Sequence, residues 1–580
     1  MKVKGWLPCI EWVASYSRVI AGQDALAAII VTLMLIPQSL AYAMLAGLPP
    51  ITGLYASIAP LVLYAIFGSS RTLAVGPVAV ISLMTAAALE PLFPAGSAAY
   101  IGAAMLLAAL SGVLLLLMAV LRLGFLANFL SHPVISGFIS ASGVLIALSQ
   151  LKHILGVTAE GQTLLQLLPS LVAQLPAIHV PTLVMGAVCL VFLQLVRTRL
   201  KSLLLALGMS PGWADSLTKT GPVLTIIVSV LVVSLFDLAD SGVRVVGSIP
   251  EGLPALQLPT LDWQLSLQLL PAALLISLVG FVESVSVAQT LAAKRRERID
   301  PDQELVGLGA ANIAAAVSGG FPVTGGFSRS IVNFEAGART PMAGILTALG
   351  IAITALFFTP LFHNLPHAVL AATIIVAVLS LVDFGSLKRT WRFSKQDFIA
   401  QAATIFGVLC MGVEIGIVMG VGLSLLLFLW RTSRPHSAVV GQLPGTEHFR
   451  NIERFAVVQS EFVVSLRVDE SLYFPNARYL EERIIELMVD YPNCKHLVLM
   501  CSGVNLIDAS ALDSLEAIVE RLKTAGVQLH LSEVKGPVMD QLHRSEFLQN
   551  FGGQVFVSQY AALQTLDPLS VKRASHSVAE

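Results

Sequence analysis

Arg329 stands in Thr324-Gly325-Gly326-Phe327-Ser328-Arg329-Ser330, with neutral residues around it from Gly307 to Val332 and apolar segments on both sides. A cation at bilayer depth costs at least ~2.5 kcal/mol and persists where it faces protein, water or an anion, so an anion pathway is the first chemistry to expect. Ser328 adds a hydroxyl beside it. A second anion-seeking feature is Gly76-Pro77-Val78. Proline suits a first helical turn, whose free N–H groups present partial positive charge, and a helix start at the midplane attracts an anion. The plainer readings are a kinked span at Gly76-Pro77 and a structural ion pair of Arg329 with Glu283 or Glu335.

Glu283 lies inside an apolar run, in Val279-Gly280-Phe281-Val282-Glu283-Ser284-Val285-Ser286. Burial favours the neutral acid and a neighbouring guanidinium favours the carboxylate, so such a group can be poised to exchange a proton as substrate comes and goes. Sodium binding and permanent pairing are the alternatives. Gln38 and Tyr42 follow Pro37 in another apolar run. Four residues apart on a helix, they share one face beside a proline kink of the kind tolerated where a helix lines a polar cavity.

The elements that must position these groups are membrane spans. Of 580 residues, 56% are hydrophobic and 12% charged, and mean hydropathy is +0.80, far from a soluble domain. A net charge of -1 gives no bulk attraction to nucleic acid. The five cysteines show no disulfide or zinc spacing and read as packing residues. Residues 1–23 read as a cytoplasmic segment lying at the interface, without a cleavable signal. Apolar runs predict fourteen spans, near 25–45, 51–68, 76–91, 98–121, 127–149, 181–196, 221–237, 268–292, 303–318, 328–338, 341–360, 366–382, 397–412 and 415–430. With both termini cytoplasmic, this count puts nearly every Lys and Arg of the connections on the cytoplasmic side and leaves Lys152 and Arg244 outside.

The third and tenth segments read as half-helices entered from extended chain, each about 40 residues after a span with one polar residue near its middle, Gln38 or Glu283. One such unit in spans 1–7 and another in spans 8–14 predict a seven-plus-seven inverted repeat, the pattern that marks a transporter's midplane site. After a transport region at 24–434 and a linker at 435–461, the chain alternates strand-like and amphipathic helical runs, predicting a cytoplasmic α/β module at 462–566 and a disordered tail at 567–580. Within the module, Asp508 and Ser510 precede a helix. They read as N-cap candidates, with a regulatory phosphosite as the sharper alternative.

Pro37-Gln38-Ser39-Leu40-Ala41-Tyr42-Ala43, Gly76-Pro77-Val78-Ala79-Val80-Ile81-Ser82, the Thr324–Ser330 run and the C-terminal module together resemble the SulP family of sulfate permeases and anion exchangers with a STAS domain. The resemblance implies a core domain (spans 1–4 and 8–11), a gate domain (spans 5–7 and 12–14), an anion site between the half-helices and a homodimer joined partly through STAS domains. Its substrate-binding positions fall on Gln38, Tyr42, Gly76, Pro77, Val78, Ser328 and Arg329, and its eighth-span acid on Glu283. Anti-sigma factor antagonists carry Asp-Ser-Ser/Thr-Gly where this chain has Asp508-Ala509-Ser510-Ala511.

The expectation is therefore a multi-pass protein of the cytoplasmic membrane, in contact with lipid, needing no cofactor or metal and not an enzyme. It is expected to move a small anion of the sulfate, bicarbonate or dicarboxylate class by proton symport with elevator motion. An uncoupled channel, sodium-coupled symport, and an anion sensor signalling to a cytoplasmic protein through the STAS module are the alternatives.

Overall fold

Backbone polar groups in hydrocarbon must pair within their own segment, and the apolar runs accordingly fold as helices. The computed structural model describes residues 7–576 apart from 129–130, 211–213, 215–216, 219–220 and 249. Each expected span carries a helix: α1 (Arg18–Leu45), α2 (Ala59–Phe67, preceded by a short helix at Pro50–Tyr55), α3 (Ala79–Leu89), α4 (Ala98–Val120), α5 (His132–Leu155), α6 (Val180–Leu195), α7 (Gly221–Leu235), α8 (Trp263–Arg295), α9 (Pro301–Val317), α10 (Phe327–Glu335), α11 (Met342–Phe357), α12 (His367–Leu379), α13 (Lys395–Met411) and α14 (Val413–Ser433). Among the described residues seven helices are long and apolar enough to cross a membrane by themselves, and α3, α7, α11 and α12 are shorter apolar helices.

Packing sorts these helices into two sets. In one, α4 packs on α8 and α9, α2 on α9 and α11, and α1 on α10 and α11. In the other, α5 packs on α12 and α13, and α6 on α5, α7 and α12. Contacts of α1 with α7 and α12, and of α3 with α5, join the sets. The α4–α9 crossing is close because Gly112 and Gly309 face it; a Cβ on either would come within 3.1 Å of the other's carbonyl oxygen.

Several boundaries differ from those expected. Ser17 accepts a hydrogen bond from the Ile20 N–H, so α1 begins at Arg18, inside the segment expected to precede the first span. Lys152 lies in the last turn of α5, where a cation complements the free carbonyls. Arg295, expected as a loop charge, ends α8; its Nη1 donates to the Ala338 carbonyl just beyond α10 at 2.6 Å, and its guanidinium covers the ring of Phe334 within α10.

The chain divides after Ser424, within α14. The C-terminal unit holds a six-stranded sheet in the order β4-β3-β5-β6-β7-β8, from β3 (Ser437–Gln442), β4 (Phe449–Asn451), β5 (Val463–Val468), β6 (His496–Met500), β7 (Gln528–Ser532) and β8 (Val555–Phe556). Strands β5 to β8 are parallel, with the expected crossover helices at Ala477–Asp490, Ala509–Thr524 and Gly536–His543. Two expectations are corrected. The linker at 435–461 contributes β3 and β4, because β3 pairs with β5 and gives the sheet an additional antiparallel edge. The tail expected to be disordered is helical at Pro568–His576, where Val571 and Ala574 are buried and Gly445 donates to the Ala574 carbonyl; residues 577–580 lie outside the described ones.

A neutral histidine pair lies on this sheet. The Gln554 N–H donates to His530 Nδ1 at 3.2 Å, so the proton of His530 sits on Nε2, which donates to His496 Nδ1 at 3.1 Å. Burial, and then His496, hold His530 at about 4, down from 6.5, and burial with Lys495 lowers His496. Such groups stabilise fully above pH 6.5. As pH falls from 6.5 toward 4 the unfolded chain binds a proton that buried His530 refuses, so stability falls by up to about 1.4 kcal/mol per unit, and the lowered His496 acts in the same direction. Hydrogen exchange at β7 and β8 in the full-length protein should quicken through that window. Unchanged protection would remove the pair from the pH response.

Candidate functional site

Two half-helices start from a short antiparallel ladder in which β1 (Val75–Gly76) pairs with β2 (Thr324–Gly325), Val75 opposite Gly325 and Gly76 opposite Thr324. The Gly326 N–H extends the ladder by donating to the Ala74 carbonyl. The third and tenth spans, expected to begin at 76 and 328, are thus a strand followed by helices α3 and α10. Extended backbone at this depth is tolerated only when protein satisfies it. Side chains do so here. Asn312 on α9 brackets Val323, donating to its carbonyl and accepting its N–H at 2.9 and 3.0 Å. Ser284 on α8 accepts from the Gly325 N–H at 2.9 Å, while Thr324 donates to the Gly280 carbonyl. Ser330 accepts from the Ala74 N–H at 3.0 Å, and Asn333 Nδ2 donates to the Thr72 carbonyl.

Arg329 occupies the first turn of α10 and is 2% exposed. Its guanidinium lies against bare backbone: a Cβ on Gly76 would meet Nη1 at 2.8 Å, and one on Gly326 would meet Nε and Nη2 at 2.9 Å. Glycine at 76 also has φ +155, a backbone that side-chain-bearing residues rarely adopt. Neither Nη1 nor Nη2 has a hydrogen-bond partner among the described residues. Tyr42 and Glu283 lie close enough to Arg329 to interact with its charge. The ion pair between Arg329 and Glu283, the plainer alternative to an anion site, is absent from the ion pairs and hydrogen bonds of the described residues.

The remaining positions distribute around this centre. Val78 caps α3 and approaches Gly326, with its Cγ1 3.2 Å from the place a Cβ would take. Pro77 connects it to Gly76. Gln38 is half-buried, one turn before Tyr42 on α1, which packs against α3 and α10. Ser328 is exposed on the turn where Arg329 is buried. Glu283 lines a small cavity with Val282 and Val279 of α8 and with Val134, Ile135, Phe138 and Ile417 of α5 and α14, which places it where the two helix sets meet. Asp508 and Ser510 belong to the other unit. Asp508 accepts from the Ala511 N–H at 2.8 Å as the helix N-cap and from the Phe474 N–H at 2.8 Å, and Ser510 is exposed beside it.

The sequence reading missed the groups that hold the ladder; Asn312 alone is an isolated polar residue in apolar surroundings, while Ser284, Ser330, Asn333 and Glu304 stand beside other polar residues that masked them. Glu304 is the largest omission. Fully buried on α9, it accepts from the Tyr64 hydroxyl, the Ser69 hydroxyl and the Ser69 and Ser70 N–H groups at 2.7 to 2.8 Å, fixing the chain that leads into β1. Glu304→Gln turns an amide donor toward these donors. It should cost about 1–2 kcal/mol, read as a lower melting temperature in detergent; an unchanged melting curve would show that the anchor is dispensable.

Comparison with known proteins agrees with this architecture. The sulfate permease family model matches residues 22–404 and the STAS domain model residues 454–562. The chain is 38% identical over 582 residues to "Sulfate transporter 4.1, chloroplastic" of Arabidopsis thaliana, covering 97% of this chain and 83% of that one. It is 32% identical over 568 residues to a "Probable sulfate transporter" of Mycobacterium tuberculosis, covering 97% and 98%. The structure of the murine Solute Carrier 26 family member A9 anion transporter in the inward-facing state superposes with a TM-score of 0.86 over 97% of this chain and 94% of that one; at 24% identity this is a likeness of fold. With its family model covering most of the helical region and its STAS module behind it, the chain belongs to the sulfate permease family of multi-pass membrane transporters.

Proposed function

We propose that this protein is a secondary active transporter of a small oxyanion of the sulfate class, with bicarbonate and dicarboxylates as the neighbouring chemistries, driven by proton symport. The buried guanidinium of Arg329, with two unpartnered nitrogens at the start of a half-helix, is the observation that carries the reading. An uncompensated buried cation is costly, and an anion relieves it with charge-assisted hydrogen bonds. The first-turn N–H groups of α3 and α10, which have no partner in their own helices, add to the attraction. Sulfate is favoured because the similar proteins from Arabidopsis thaliana and Mycobacterium tuberculosis are named as sulfate transporters.

Glu283 supplies the coupling. Ionised, it competes with the substrate for the charge of Arg329; protonated, it leaves that charge to the anion. It also faces apolar residues of α5 and α14. A neutral carboxyl passes such a wall at far lower cost than a carboxylate. Proton and anion together therefore permit the core set to slide against the gate set, as an elevator. The protein works as a homodimer in the cytoplasmic membrane with both termini cytoplasmic, and the STAS module joins protomers and receives regulation, Ser510 being its candidate phosphosite.

The test is uptake into proteoliposomes. Accumulation of labelled sulfate above equilibrium under an imposed inward proton gradient supports symport. Accumulation that follows a sodium gradient instead, or flux that only equilibrates, would replace it with sodium coupling or a channel. Binding without flux would favour the sensor.

A further inference from the structure

The short helix at Gly385–Phe393 joins α12 to α13 and turns its small polar residues inward. Ser386 Oγ donates to the Asp383 carbonyl at 2.7 Å and accepts from Gln401 Nε2 of α13 at 2.6 Å and from the Ser136 hydroxyl of α5 at 3.1 Å. Thr390, one turn on, donates to Gln401 Oε1 at 2.8 Å. The Asp383 N–H donates to Ser140 of α5 at 3.0 Å. These bonds fasten the helix to α5 and α13, two members of the gate set.

The outward side is left with aromatic and basic side chains. Phe384, Trp391 and Phe393 are 52%, 50% and 94% exposed, and Lys388, Arg389, Arg392 and Lys395 are exposed among them. Every residue from 381 to 399 is described, and against these four bases the stretch holds two acids, Asp383 and Asp397. Asp383 is taken by Arg389 at 2.7 Å. Lys388 and Arg392 have no acidic partner among the described residues, and Lys395 Nζ lies 3.1 Å from the centre of the Trp391 ring. The neighbouring start of α5 adds His132, and Phe129 and Leu130 before it carry no charge. The patch also runs into the outer surface of a membrane span. Trp391 packs edge-on against Phe398 of α13 with centroids 4.7 Å apart, and Ile399 and Phe406, on the side of α13 that Lys395 begins, are exposed apolar residues.

We infer that the Gly385–Phe393 helix lies in the headgroup layer of the bilayer and binds anionic phospholipids there. Trp391 and Phe393 seat their rings at the interface, where such side chains are favoured beside basic ones. Lys388, Arg392 and Lys395 meet the phosphate headgroups. A zwitterionic leaflet would accept the rings and leave the basic charge unanswered, so charge complementarity selects the acidic lipid. The consequence for transport rests on the elevator reading: a gate set held to the leaflet through this helix gives the core set a fixed wall to slide against.

Full-length protein in nanodiscs of equal phosphatidylglycerol and phosphatidylcholine tests the inference, with bromine on the upper acyl carbons of one lipid or the other. The difference in fluorescence between wild type and Trp391→Phe isolates the signal of Trp391. Its quenching by brominated phosphatidylglycerol should exceed that by brominated phosphatidylcholine about fivefold, the scale of one basic residue beside an anionic surface. About 0.5 M salt should bring the ratio toward one in the unaltered chain. Lys388→Gln with Arg392→Gln should do so at low salt, with melting curves to establish that the variant is folded. Equal quenching by the two lipids at low salt would overturn the anionic site, and a ratio indifferent to salt would overturn the role of the bases. Absence of quenching by either lipid would show that protein, a second copy or another partner, covers this face. Quenching is read without transport, so failure of the elevator reading leaves the docking surface standing.

Discussion

Arg329→Ala is expected to weaken anion binding by about tenfold or more, the equivalent of a lost charge-assisted hydrogen bond at ~1.5 to 3 kcal/mol. The figure is a lower bound on the effect, because both terminal nitrogens of the guanidinium lack partners among the described residues and can meet one substrate together. Arg329→Lys discriminates further. A lysine keeps the charge but loses the planar fork, and the contact with Gly76 and Gly326 is shaped for that plane. It should retain part of the affinity while losing selectivity among sulfate, bicarbonate and dicarboxylates. Equilibrium binding to detergent-purified protein measures both. Affinity unchanged in Arg329→Ala would return this residue to a structural role, with the half-helix starts alone drawing the anion. Gly76→Ala offers a second check from the other side of the contact, since its methyl group must push Nη1 away.

The second large effect is expected at Glu283. Glu283→Gln should abolish accumulation driven by a proton gradient while leaving anion binding within a few-fold of wild type. The amide is permanently neutral, which reproduces the protonated state in both shape and charge. The core set of the variant can cross the apolar faces of α5 and α14 whether or not a proton is available, so exchange of sulfate for sulfate should persist and become indifferent to pH. In the wild type the same exchange should slow as pH rises, because deprotonation restores the competitor for Arg329 and places a charge against the gate. Proteoliposome counterflow at a series of pH values separates these behaviours. A variant that still concentrates sulfate under a pH gradient would move coupling to another group.

Much of this arrangement was legible in the chain because the bilayer imposes few solutions. Apolar runs of sufficient length become helices, and an isolated Arg329 or Glu283 inside them is too costly to be incidental. The half-helix starts were readable from Gly76-Pro77 and from Pro322 with Gly325-Gly326 before Phe327, which disfavour a continuous span without excluding a kinked one. The STAS strands and helices followed from a change of period. What stayed hidden was held by hydrogen bonds between segments far apart in sequence. Glu304 reaches Tyr64, Ser69 and Ser70, and Asp24 accepts from Arg339 and Thr340 across the first and eleventh spans. Side chains of this kind look like stray polar residues until their partners are in place. The same is true of β3, which lies in a stretch that reads as linker because its pairing partner, β5, comes more than twenty residues later.

The sequence alone determined that this is a multi-pass protein with two interrupted helices, a cation (Arg329) and an acid (Glu283) set inside apolar runs, and an α/β module, because hydrophobic transfer and the cost of buried charge act on each segment separately. Only the tertiary structure decided that Arg329 rests on Gly76 and Gly326 with Nη1 and Nη2 unpartnered among the described residues, that Glu283 stands where the two helix sets meet, and that α6 and α7 leave an apolar groove between them. Those are relations between segments; the contact of Arg329 with the two glycines follows because backbone groups freed by the broken helices find partners in other helices rather than in water.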